Sequence, residues 1–82
     1  MKKYQVIGAF DGWYWFGESD NLTTAKRIAT NNGVCEAKCL GVRKPEIYCA
    51  DDVTDGPCGR VPAPYAKPVA RWMSYTGEWV NW

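Results

Sequence analysis

The stretch Tyr4-Gln5-Val6-Ile7-Gly8-Ala9-Phe10-Asp11-Gly12-Trp13-Tyr14-Trp15-Phe16 decides the fold. Asp-Gly between runs of β-branched and aromatic residues is a strong short-range hairpin signal. Tyr, Val, Ile, Phe and Trp suit a pleated, half-buried surface. Residues 4–18 therefore read as a hairpin. A two-residue loop sets Phe10 opposite Trp13, Gly8 opposite Trp15 and Ile7 opposite Phe16. A ring over a strand glycine covers bare backbone, which favours the Gly8–Trp15 pair. A three-residue loop with Gly12 left-handed shifts this register.

Residues 21–32 read as a helix. Ser19, Asp20 and Asn21 are good N-caps. Leu22, Ala25, Ile28, Ala29 and Asn32 recur at helical spacing on one face, apolar except for the last. Asn31-Asn32-Gly33 is a stop signal, because Gly33 can take the left-handed conformation past the helix end. About three turns need packing to persist, so the apolar stripe should lie on the sheet.

Residues 34–50 resume strand character as two runs, 34–42 and 46–50, separated by Arg43-Lys44-Pro45. Residues 51–68 carry Asp51, Asp52, Asp55, Gly56, Pro57, Gly59, Pro62, Pro64 and Pro68 and read as a loop, with Pro62-Ala63-Pro64 extended. Residues 69–82 read as a terminal hairpin around Thr76-Gly77. The order β-β-α-β-β-loop-β-β predicts an α+β fold. It is a single domain, 1–82, with an antiparallel sheet of five to six strands and one helix on one face. A small curled barrel with one helix is the alternative.

Composition narrows the function. The 82 residues carry ten Lys and Arg against nine Asp and Glu, a net charge of +1, which fits neither a polyanion-wrapping protein nor an acidic DNA mimic. There is no His, so the commonest general base and metal ligand is missing. No phosphate loop, dinucleotide fingerprint or Gly-x-Ser-x-Gly is present. Asp51-Asp52-Val53-Thr54-Asp55-Gly56 departs from the calcium-loop pattern and reads as solvated turn. The expectation is no enzyme, no catalytic residues and no cofactor. No apolar run approaches the roughly 20 residues of a membrane span. The start, Met1-Lys2-Lys3, leads into no signal-peptide core. A cytoplasmic protein without membrane partners is expected.

Cys35, Cys39, Cys49 and Cys58 lack the Cys-x-x-Cys spacing of a redox motif. On an extended strand Cys35 and Cys39 are about 13 Å apart, too far to bond. With Lys44-Pro45 as a turn, Cys39 nears Cys49, and Cys58 can reach back to Cys35. Buried free thiols, disulfides and a four-cysteine zinc site all stand as readings; the expectation is that folding needs no metal.

The aromatic residues carry the functional expectation. Phe10, Trp13, Tyr14, Trp15 and Phe16 crowd one hairpin, and Trp72, Tyr75, Trp79 and Trp82 crowd another. Cross-strand pairing accounts for part of this. Trp, Tyr and Arg also dominate protein–protein hot spots, and exposed apolar patches mark binding sites. The expected contact residues are Trp13, Trp15, Arg71, Trp72 and Trp79, supplemented by Asp51, Asp52 and Asp55. The alternatives are a small nucleic-acid-binding module using Tyr14, Trp15, Lys26 and Arg27, or a structural or assembly protein of a virion.

In general character the chain resembles short accessory proteins of bacteriophages and mobile elements. The resemblance rests on the compact β-β-α opening and on Asp20-Asn21-Leu22-Thr23-Thr24-Ala25-Lys26-Arg27-Ile28-Ala29 after an aromatic hairpin. Anti-CRISPR proteins and other anti-defence inhibitors are of this type. The resemblance implies a small non-enzymatic protein that binds a larger host protein or ribonucleoprotein complex and occludes a surface on it. It assigns no functional residue.

Overall fold

The structure is a computed structural model that describes residues 1–9, 13–31, 43–57, 59–73, 76 and 78–81. Strands β1 (Tyr4–Ala9) and β2 (Trp13–Ser19) precede helix α1 (Leu22–Asn31). Strand β3 (Arg43–Cys49) follows, then a short 3-10 turn (Ala50–Asp52) and strands β4 (Val53–Gly56), β5 (Gly59–Pro62), β6 (Ala70–Met73) and β7 (Glu78–Asn81). A five-stranded antiparallel sheet runs β2-β1-β3-β6-β7, and β4 and β5 form a separate antiparallel pair. This is the α+β fold with a helix on the sheet that the sequence predicts.

Strand alternation divides the core between the two faces of the large sheet. Val6 and Ile47 pack on one face with Ala25 and Ala29 of α1 and with Ala70. Ile7, Tyr48 and Val53 pack on the other, with Trp15 and Ala66 against them. The helix therefore covers one side of β1 and β2, and the β4–β5 pair lies against the opposite side. Asn21 caps the helix: its Oδ1 accepts from the Thr24 amide at 3.1 Å, and its carbonyl accepts the first helical bond from Ala25 at 2.9 Å. Ala25 and Ala29 are the buried residues of the predicted stripe. Gly17 lets the helix close on β2, because a Cβ there would meet Ile28 Cγ2 at 3.1 Å.

Three local expectations are corrected. First, β1 and β2 pair as Ala9↔Trp13, Gly8↔Tyr14 and Ile7↔Trp15, so residues 10–12 connect them, not a two-residue loop. The register then shifts between Ile7↔Trp15 and Val6↔Gly17, leaving Phe16 as the extra residue of a bulge. Second, Arg43-Lys44-Pro45 is not a break but the start of β3. Pro45 is tolerated there because the β1–β3 register slips between Ile7 and Ala9, and β6 pairs only with Glu46 and Ile47. Third, residues 51–68 are not one loop, since β4 and β5 pair Val53↔Pro62 through Gly56↔Gly59. Pro62 accordingly ends a strand and does not belong to a polyproline segment.

Within the expected terminal hairpin, β6 and β7 pair with Trp72 opposite Trp79. The strand expected over 34–42 lies outside the described residues, as do Cys35, Cys39 and Cys58 and the cysteine pairings drawn through them. Cys49 is half-buried at the end of β3.

Candidate functional site

Among the described residues, the four tryptophans expected as contacts do not share one face of the sheet. Trp13 and Trp15 belong to β2 at one edge of the sheet order, and Trp72 and Trp79 to β6 and β7 at the other. Alternation places Trp13 on the side of Trp15, the face that carries the β4–β5 pair, whereas Trp72 and Trp79 join the core on the helix side.

Trp15 is half-buried and engaged by its neighbours. Its indole Nε1 donates to Gln5 Oε1 at 3.0 Å, and the Arg60 guanidinium lies 4.9 Å above its ring. A glycine does sit against Trp15, as a glycine-covering ring requires, but it is Gly59 of β5 and not Gly8. Trp72 and Trp79 meet edge to face at 5.8 Å and 66°, a favourable aromatic geometry. Both are half-buried, and Trp72 Nε1 is buried without a hydrogen-bond partner among the described residues. Arg71 is half-buried with its Nε 3.9 Å from Glu46 Oε2. The same Glu46 accepts a hydrogen bond from the Tyr48 hydroxyl at 3.0 Å. Burial, reinforced by the Glu46 carboxylate, pushes the Tyr48 phenol well above its usual range. Asp51 and Asp55 are exposed and Asp52 partly so, the first and last on different elements.

Beneath the β4–β5 pair lies a polar cluster that sequence reasoning missed. Gln5 is fully buried on β1, where its face would otherwise hold an apolar residue. Its Nε2 donates to the Lys2 carbonyl at 2.6 Å and to Glu18 Oε1 at 3.1 Å. Arg60 reaches from β5 with one nitrogen 2.6 Å from Gln5 Oε1 and 2.8 Å from Glu18 Oε1. The amide of Lys2 also donates to Glu18 Oε1 at 2.8 Å. Alternation alone marks Gln5 as facing the side opposite Val6; only the arrival of Arg60, distant in sequence, explains why a polar residue is there. With its partners in place the buried amide is satisfied, which is what makes it affordable.

Glu18 has a titration consequence. The Lys2 amide first, then Gln5 and Arg60, hold its carboxyl down at about 2, below the ordinary 4.5. The carboxylate is thus favoured in the folded state, and its stabilisation is complete above the ordinary value. It is lost as pH falls from about 4.5 toward about 2. Urea midpoints measured across that window should fall with pH in the wild type, and Glu18→Gln should flatten the slope. An unchanged slope in Glu18→Gln would show that this carboxylate does not carry it.

Among the described residues, the exposed large apolar side chains are Met1, Trp13, Tyr14, Tyr65 and Val80, three of them aromatic. Trp13 is 40% exposed and Tyr14 39%, on opposite sides of β2. Tyr65 is 101% exposed. It stands in the connection from β5 to β6, where the Ala66 amide donates to the Ala63 carbonyl at 3.0 Å across Pro64-Tyr65. Pro64 before a residue with φ of 63° is type II turn geometry, in which glycine or asparagine normally fills the second central position. A residue with a Cβ held there costs about 1–2 kcal/mol. Proline marks such a turn in a sequence, but nothing local signals a tyrosine in the left-handed region.

No family model matches this chain, and neither curated proteins nor solved structures give a match. Among the described residues, no cluster of three or more Cys, Asp and Glu side chains is placed to hold a metal ion. No helix among them is long and apolar enough to cross a membrane.

Proposed function

We propose that this chain is a small non-enzymatic binding protein that occludes a surface of a larger macromolecular partner, in the manner of a phage-encoded inhibitor of a host defence complex such as CRISPR-Cas. One observation carries the reading: large rings at Trp13, Tyr14 and Tyr65 face solvent from hydrogen-bonded strands and a closed turn. Aromatic rings held on rigid backbone give contact area at little entropic cost on binding. Asp51 and Asp55 add exposed charge. Trp15, half-buried and already engaged by Gln5 and Arg60, offers less ring to a partner than Trp13, Tyr14 and Tyr65. The proposed location is the cytoplasm of a host cell.

An affinity-tagged chain incubated with bacterial lysate tests this. The expected result is one protein or ribonucleoprotein recovered at stoichiometric yield, and still recovered when salt rises from about 50 to about 200 mM. A nucleic-acid ligand held through phosphates weakens steeply over that range. Recovery of nucleic acid alone, lost at the higher salt, defeats the reading.

A further inference from the structure

We propose that Tyr65 is the anchor by which this protein docks, and that it enters an apolar cleft edged by carboxylates on a partner protein. The inference rests on the binding reading above and adds the residue and the chemistry it meets.

Internal packing does not account for Tyr65. Its side chain is fully exposed, so the ring contributes no burial to the core. Its backbone holds a φ of 63°, a conformation unfavourable for an aromatic residue. A position selected for folding alone would suit glycine or asparagine better. Strain retained at an exposed residue is the pattern of a site where presentation matters more than stability.

The surrounding structure keeps the turn in place. On one side, the Ala63 amide donates to the Asp52 carbonyl at 2.8 Å. On the other, Ala66 packs on the Ile7, Tyr48 and Val53 cluster, and the Val69 amide donates to the Ile47 carbonyl at 2.7 Å. Pro64 and Pro68 stiffen the chain on both flanks. Tyr65 therefore projects from a clamped loop. A ring pre-positioned in this way loses little freedom on binding, the physical basis of a hot-spot anchor.

Charge specifies the cleft. Lys67 is exposed two residues beyond Tyr65 and forms no ion pair among the described residues. A cation beside a projecting ring complements an apolar pocket with acidic groups on its rim. A base stacked on the ring is the other chemistry Tyr65 could meet, but strand binding needs a track of cations along the backbone. The near-balance of charge over the chain opposes that.

Two experiments test the proposal. Benzoylphenylalanine placed at position 65 and irradiated in bacterial lysate should cross-link the protein recovered by the tagged wild type. The same group at exposed Asn31 on the helix should not. The purified partner should then bind Tyr65→Gly at least about tenfold more weakly than wild type, while the urea midpoint of Tyr65→Gly is unchanged or raised. Weaker binding without lost stability separates an anchor from a structural residue. If the captured partner binds Tyr65→Gly as tightly as wild type, or position 65 cross-links nucleic acid, the anchor is overturned and the broader binding reading is judged on the pull-down alone. If nothing is captured at stoichiometric yield, both fall together.

Discussion

Replacing Gly59 with alanine is expected to lower the stability of this protein by about 3 kcal/mol, from backbone strain and crowding together. Gly59 holds a φ of 111°, which side-chain-bearing residues rarely adopt. A Cβ there would lie 2.9 Å from Trp15 Cβ and 3.6 Å from Cγ. Neither atom can move away easily, because Trp15 is held by Gln5 through its indole nitrogen and covered by Arg60. The substitution must push β5 off the sheet, and Arg60 next to it would leave Gln5 and Glu18. In a domain of 82 residues, with total stability of roughly 4–12 kcal/mol, that is a large share. It corresponds to a fall in Tm of roughly 12–24 °C. Urea denaturation followed by far-UV circular dichroism measures the loss, and tryptophan emission reports whether the cover over Trp15 has opened. A midpoint equal to wild type would mean that β5 does not approach Trp15 as described.

Ile47→Ala is expected to cost about 4 kcal/mol, toward the upper end for a large-to-small change in a core. Ile47 is fully buried on β3, the central strand, opposite Val6 on β1 and Ala70 on β6. Its buried neighbours under the helix include Ala25, Ala29 and Ala70. Methyl groups have no rotamers with which to fill a cavity, so the void left by Ile47 should persist. The cost depends on how far a site can collapse, and this one collapses little. Ile47→Val, which removes one methylene, should cost only about 1 kcal/mol. Denaturant midpoints of the two variants check the contrast; similar losses in both would show that the helix settles into the gap.

The two substitutions probe different kinds of information. Ile47 is legible as a strand residue with β propensity, and the helix stripe Ala25 and Ala29 is legible from its spacing. The cap at Asn21 is equally local. The pairing of Gly59 with Trp15 is not, because the residues are far apart in the chain and meet only when the β4–β5 pair packs on the sheet. The idea that a glycine lies against Trp15 was physically sound, but local sequence pointed to Gly8. The actual register, with residues 10–12 between the strands, sets Tyr14 opposite Gly8.

The candidate site divides in the same way. The wealth of aromatic candidates was visible in the counts, but which of them are exposed was not. Trp15 turned inward because a buried glutamine and an arginine from another element claimed it. Trp72 and Trp79 turned toward each other. Tyr65 escaped notice because a turn residue in the left-handed region has no sequence signature when it is neither glycine nor asparagine.

Alternation, helical spacing, capping and turn chemistry act over a few residues, and they sufficed for the α+β class, the first hairpin, the helix and the terminal hairpin. Decisions requiring distant segments to meet belonged to the tertiary structure alone. These include the passage of β3 through Pro45, made tolerable by an irregular ladder with β1. They also include the folding of residues 53–62 into a hairpin on the sheet. The last is the satisfaction of Gln5 by Arg60, since a polar side chain can be buried only where its partner arrives.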